Sequence, residues 1–259
     1  MDTVTSADGT SIAFERTGSG PVVVIVNGAM STAADAADLA AALVGTGLSA
    51  IAYDRRGRGS SGDVKGSTPD REVEDLAAVI DVAGDDAAIF GHSSGAVLAL
   101  LATSVGVPSS ALFLSEPPFR FGVHEPAPDL ATRLQDHVDR GEPEEALMTF
   151  QRDAVGLPEE MIEQIRTSGV LASLVPLAQS TVYDTLLTSQ VSTPTPAMLG
   201  VAQPVTVMRG EQTFAVLVAA ADRLASAIDH AELVVVPESV MHRPDPAATA
   251  RVISERMAH

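Results

Sequence analysis

Gly91-His92-Ser93-Ser94-Gly95 fits the pattern G-x-S-x-G, with the apolar run Ala87 to Phe90 before it and the Ala/Leu-rich stretch Gly95 to Ser104 after it. A strand that turns sharply into a helix needs glycines where side chains would crowd the turn. Such a turn exposes the hydroxyl of its central serine at the helix N-terminus. The Ser94 N–H then faces the place where negative charge develops on a reacting carbonyl. A Gly/Ser-rich turn that binds nothing is the plainer alternative for the same five residues.

Working outward, Val22 to Val26 is an unbroken β-branched run, and Ala50 to Tyr53, Ala111 to Leu114, Val205 to Met208 and Leu233 to Val236 are short apolar runs of the same kind. Runs without polar alternation suit strands covered on both faces, as in a parallel sheet. Helical stretches lie between them: Ala33 to Val44 behind Ser31 and Thr32 as possible caps, Thr68 to Ala83 opening with Pro69, Phe214 to Ile228, and Pro246 to Met257. Strand and helix alternate, so the class is α/β. Val4 and Ser11 to Arg16, joined by the turn Asp8-Gly9-Thr10, read as an antiparallel hairpin at a sheet edge. Between Pro117 and Gln203 the strand signal disappears. Leu130, Leu134 and Val138 recur at helical spacing, as do Leu147, Phe150 and Ala154, and prolines punctuate the segment. The expected organisation is one core, residues 1–116 and 204–259, interrupted by a helical cap over 117–203.

Composition narrows the chemistry. A chain of 259 residues is large enough for one α/β domain with an insertion. Zero Cys excludes disulfides, a thiol nucleophile, iron–sulfur clusters and thiolate zinc sites. A formal charge of −18 argues against nucleic acid or an anionic membrane surface as partner. Lys65 is the sole lysine, which leaves no second one for Schiff-base or P-loop chemistry. The acidic start Met1 to Asp8 has no apolar core of a leader, and no run approaches the roughly 18–20 apolar residues of a membrane span, so a cytoplasmic protein is expected. No metal motif such as H-E-x-x-H is present, and neither metal nor cofactor is expected.

A serine nucleophile needs a general base. Of the six histidines, His242 alone follows the final predicted strand with a helix still to come, in Val240-Met241-His242-Arg243-Pro244. His92 belongs to the turn itself and reads as a packing residue. His124 and His137 fall in the cap, and His230 and His259 read as surface residues.

With these positions in place the chain resembles an α/β-hydrolase over nearly its whole length outside the cap. Asn27-Gly28-Ala29-Met30 stands where such proteins usually carry a His-Gly oxyanion loop, and the resemblance implies a backbone donor from Ala29 or Gly28 beside that of Ser94. Tyr53-Asp54-Arg55-Arg56-Gly57-Arg58-Gly59-Ser60-Ser61 is similar to the superfamily's D-x-R-G-x-G-x-S loop. Gly57, Gly59 and Gly62 also fit G-x-G-x-x-G, but a dinucleotide fingerprint should open a helix, whereas this stretch runs into Asp63-Val64-Lys65-Gly66.

The resemblance breaks at the acid. Most of the superfamily places an Asp after the strand matching Val205 to Met208, and here Thr213 stands in its place. Glu116, directly after the run Ala111 to Leu114, is the leading substitute, as zearalenone-lactonase-like members place a Glu there. Glu-Pro-Pro-Phe, with Val155 to Pro158 and Tyr183-Asp184, also looks like a group of actinobacterial α/β-hydrolases lacking the usual Asp. Glu211, or no acid at all, are the alternatives. The implied activity is hydrolysis of a carboxylic ester or lactone by Ser93, His242 and Glu116. Met30, Phe119, Phe150 and Tyr183 are the candidate substrate contacts for a small to medium, largely neutral apolar molecule. A lyase or a non-hydrolytic binding protein on the same fold is the rival reading. No oligomeric state is implied.

Overall fold

The computed structural model describes residues 1–258, so His259 and its surface assignment lie outside the described residues. Eight strands, β1 (Asp2–Thr5), β2 (Ser11–Thr17), β3 (Val22–Val26), β4 (Ser49–Tyr53), β5 (Ala88–His92), β6 (Leu112–Ser115), β7 (Val205–Gln212) and β8 (Glu232–Val240), form one sheet in the order β1-β2-β4-β3-β5-β6-β7-β8. β1 and β2 pair antiparallel, β2 joins β4 antiparallel, and the rest of the sheet is parallel, as the expected edge hairpin and parallel core require.

The apolar runs are explained by burial on both faces. Val22, Val24 and Val26 pack on one side of the sheet with Leu76, Val79 and Ile80 of α2 (Pro69–Ala83) and with α3 (Ser94–Ser104). Val23 and Ile25 pack on the other with Leu39 and Leu43 of α1 (Ala37–Gly45) and, from the C-terminal helix Pro246–Met257, Val252 and Ile253. Helix α1 starts later than the sequence suggests, because Ala33–Ala36 form a 3-10 turn behind Thr32 as cap. Strands β7 and β8 run longer than their apolar runs. Arg209 pairs with Val235, Gly210 with Val236 and, past a register shift between Gly210 and Gln212, Gln212 with Val240; these ends are partly exposed and carry polar residues.

Between β6 and β7 the regular structure is helical: α4 (Leu130–Asp139), α5 (Pro143–Thr149), a π-helical turn Phe150–Val155, α6 (Glu159–Thr167), α7 (Val170–Leu174), the 3-10 turn Val175–Leu177, α8 (Ala178–Gln190) and α9 (Pro196–Leu199). α10 (Ala215–Ala227) follows β7, and Pro246–Met257 is α11. The run Val170–Gln190 reaches a mean hydropathy of 1.2 over 18 residues, which the sequence reading had not singled out, but 56% of that window is buried inside the protein.

Candidate active site

Ser93 sits on the sharp turn between β5 and α3 with φ 54° and ψ −125°, a left-handed backbone that a serine adopts only under constraint. The flanking glycines explain how the chain fits. A Cβ on Gly95 would lie 2.0 Å from the Val26 carbonyl oxygen, and one on Gly91 would lie 2.5 Å from Ala96 Cα. α3 is thus pressed against the end of β3, and its N-terminus opens beside the Asn27 loop. Gly28 approaches just as closely, since a Cβ there would meet Ser93 Cβ at 2.8 Å.

Register delivers the carboxylate. His92 is opposite Ser115 on β6, and Ser115 is opposite Met208 on β7, so the residues that follow leave the sheet side by side. Glu116 is buried, with φ 47°. Its Oε1 accepts from Gly210 N–H at 2.9 Å, and its Oε2 contacts His242 Nδ1 at 2.5 Å and accepts from Thr213 Oγ1 at 3.0 Å. Burial pushes this carboxyl upward, but the bonds from His242, the Gly210 N–H and Thr213 outweigh it and hold the group below the usual range. Thr213, at the position expected for an acid, therefore serves as a hydroxyl donor to one. Glu211 is exposed and makes no such contact with His242.

Ser93 and His242 both line a cavity of about 460 Å³, together with Gly28, Ala29 and Ser94 and with residues of the π-helical turn and α8 between β6 and β7. No hydrogen bond joins Ser93 Oγ to the His242 ring among the described residues, a contact that often tightens only around substrate. Met30 and Phe150 line the cavity as well. Phe119 does not: it is 2% exposed, within the main core and edge-on to Phe121. Tyr183 is also buried away from the cavity, its hydroxyl donating to the Asp63 carboxylate at 2.9 Å. Apolar residues at helical spacing serve core and cavity alike, so the sequence could not separate the two pairs.

The Tyr53–Ser61 loop holds what the sequence reading missed. Arg55, Arg56 and Arg58 are all buried. Arg56 forks onto Asp75 with two bonds of 2.6 Å, and Arg55 onto Glu72 at 2.9 and 2.7 Å. Asp184 of α8, also buried, accepts from Arg55 at 2.9 Å, Arg58 at 2.8 Å and Ser94 Oγ at 2.6 Å. Burial alone would raise the Asp184 carboxyl, but the charges of Arg58 and Arg55 hold it below the usual range. Arg58 also donates to the Gly28 carbonyl at 2.6 Å. Because that peptide is planar and trans, the bond turns the Ala29 N–H to the opposite side. The sequence showed the arginine loop and Tyr183-Asp184 as separate stretches, with only an aspartate within the apolar stretch around Val182 and Leu187 to hint that they meet. Asp54, which accepts from Ala33 N–H and Ser60 N–H at 2.7 Å each, fills the loop with its own carboxylate, and a Cβ on Gly59 would strike it. The N–H groups of Gly57, Ser60, Ser61 and Gly62 are already engaged within the protein and the stretch opens no helix, which removes the dinucleotide reading.

His92 stacks on His242 with ring centroids 4.6 Å apart, and its buried Nε2 has no hydrogen-bond partner. Burial, then the neighbouring His242 charge, push its pKa down to about 3. The unfolded chain therefore takes up a proton below about pH 6.5 that the folded chain refuses, so stability falls with pH across that interval. His92→Gln is expected to flatten the loss of thermal stability between about pH 6.5 and 4.5, read as Tm against pH; equal slopes in both proteins would disprove it. His92, Glu116 and His242 also bring three potential metal-ligand atoms within 4.8 Å of one another. Of these residues, Glu116 and His242 are already engaged with each other, Oε2 to Nδ1 at 2.5 Å.

The family model described as serine aminopeptidase, S33, matches residues 19–235. No curated protein matches the chain. Among solved structures, the chain is similar to an α/β hydrolase from Sphaerobacter thermophilus, at 40% identity, a TM-score of 0.91, and coverage of 99% of this chain and 100% of that one. An enol-lactonase from Burkholderia xenovorans is 20% identical with a TM-score of 0.75, covering 100% of both chains. A thermophilic esterase from Thermogutta terrifontis is 22% identical with a TM-score of 0.74, covering 99% of this chain and 96% of that one. The last two show the fold alone. Matched by the family model over residues 19–235 and by a 40% identical α/β hydrolase over nearly its entire length, the chain belongs to the α/β-hydrolase superfamily.

Proposed function

We propose that the protein is a serine hydrolase that cleaves a carboxylic ester or lactone through an acyl-enzyme. The observation that carries this is the contact between Glu116 Oε2 and His242 Nδ1 at the wall of the cavity that Ser93 also lines. In this mechanism His242 Nε2 takes the Ser93 proton as Oγ adds to the substrate carbonyl. The Ala29 and Ser94 N–H groups receive the oxyanion, with Gly28 leaving the space. The protonated His242 then gives its proton to the leaving alkoxide as the C–O bond breaks. A water deprotonated by His242 attacks the acyl-serine and returns Ser93 with a carboxylic acid. Glu116 fixes the His242 tautomer and balances its positive charge. Residues 117–203 act as the lid that shapes the pocket.

Neighbours named esterase and enol-lactonase are consistent with carbonyl chemistry of this kind on the same fold. The test is labelling by a fluorophosphonate probe, read by intact mass. One adduct on the wild type and none on Ser93→Ala is the expected result. A wild type that takes no label while folded would overturn the proposal.

A further inference from the structure

We infer that the substrate carries a carboxylate remote from its reacting carbonyl, bound by Arg120 inside the cavity with Arg243 at its rim. This deepens the hydrolytic assignment above and rests on it. The lysine-poor sequence suggests a neutral substrate; the cavity's arginines indicate otherwise.

The protein has 34 acidic side chains against 16 Lys and Arg, so a cation without a carboxylate partner goes against the odds. Among the described residues only Arg16, Arg120, Arg223 and Arg243 have no carboxylate within 4.0 Å. Arg16 is exposed on β2, and Arg223 lies over the Phe121 ring at 4.5 Å. The other two, Arg120 and Arg243, both line the cavity that holds Ser93. Arg120 is half-buried and Arg243 is exposed beside His242.

Arg120 is held in place without being neutralised. Its Nη2 donates to the Ala154 carbonyl at 2.6 Å, and its backbone N–H to the Ser192 carbonyl at 2.7 Å. None of its other nitrogens is a buried orphan, so the rest of the fork opens on accessible space. Glu125, the acid whose charge reaches it, is already engaged by Gly122 N–H and Ser192 Oγ. Burial pushes the guanidinium pKa down, and an anion arriving from solvent would relieve that cost. The cavity's own carboxylate, Asp184, is paired with Arg55 and Arg58, and Glu116 is paired with His242, so neither is left to neutralise Arg120 or Arg243. Apolar side chains such as Phe150, Leu157 and Leu217 line the same cavity. They suit a short hydrocarbon segment carrying an ester or lactone carbonyl and, away from it, a carboxylate.

The test compares two activated esters of one chain length, the p-nitrophenyl hemiester of adipate and its terminal primary amide. The wild type is expected to favour the hemiester at least tenfold in kcat/KM, mostly through KM. Arg120→Gln should bring that ratio to within threefold of one, and Arg120→Lys should restore part of it. Adipate, but not adipamide, should raise the Tm of the wild type, a readout independent of turnover and of any variant's folding. A wild type that labels at Ser93 but hydrolyses the amide-tailed ester equally well, with no Tm shift from adipate, overturns the carboxylate site and leaves the hydrolase assignment standing. Failure to label at Ser93, with the adipate shift intact, overturns the hydrolase assignment and leaves the anion site.

Discussion

Glu116→Gln is expected to lower ester turnover about 10³- to 10⁴-fold in kcat with KM changed only severalfold, because the lost interaction belongs to the transition state. A carboxamide has no charge to balance the imidazolium formed when His242 holds the Ser93 proton. It can also present N–H to Nδ1, which selects the tautomer that carries its proton on the nitrogen meant to act as base. Glu211→Gln, on an exposed side chain one residue past Gly210, should leave kcat within twofold. The geometry offers a further check. Thr213 Oγ1 stands 3.0 Å from Glu116 Oε2, so Thr213→Asp in the Glu116→Gln background returns a carboxylate from the β7 side and should recover at least tenfold. A Glu116→Gln protein within tenfold of wild type would remove Glu116 from the catalytic machinery.

Asp184→Ala should be the most destabilising of the changes considered, by about 3–5 kcal/mol, the scale for stripping one partner from a buried ion pair. Two guanidiniums share this carboxylate. Arg55 keeps Glu72 afterwards, but Arg58 keeps only the Gly28 carbonyl and already carries a buried Nε without a partner. Burial, then repulsion from Arg55, push the Arg58 pKa down even with Asp184 present. The loss would be measured by urea denaturation at pH 7. Glu238→Ala, which breaks an exposed pair with Arg251, should not move the transition and serves as the control. A midpoint for Asp184→Ala equal to that of the control would show that the cluster adds nothing to stability.

The parallel strands were legible because burial on both faces leaves an unbroken apolar run, as in Val22 to Val26 and Ala88 to Phe90. The turn at Ser93 was legible because glycines are obligatory where backbones approach within van der Waals distance. Glu116 was legible only by comparison with relatives, since nothing local marks a glutamate as the one whose neighbours on β7 and after β8 converge on it. The arginine cluster was not legible, because Arg55 and Arg58 meet Asp184 across more than a hundred residues of chain and burial of that kind leaves no periodic trace. Phe119 and Tyr183 were misplaced for the opposite reason: their pattern is clear, but it fits packing as well as it fits a pocket wall.

The tie from Asp184 to Arg55, Arg58 and Ser94 has a consequence for how substrate enters. α8 cannot lift from the sheet without baring buried charges, so the cavity wall that Asp184 and Thr188 form is riveted along that helix. Among the described residues α6 and α7 have no buried ion pair: they dock through Ile162 and Leu171 in a small apolar cluster, and α6 adds the exposed pairs Arg152 with Glu159 and Arg166 with Glu145. Substrate is therefore expected to enter on the side where Leu157, Met161 and Leu174 line the cavity. New specificities can arise by rewriting that wall while the riveted helix stays as it is.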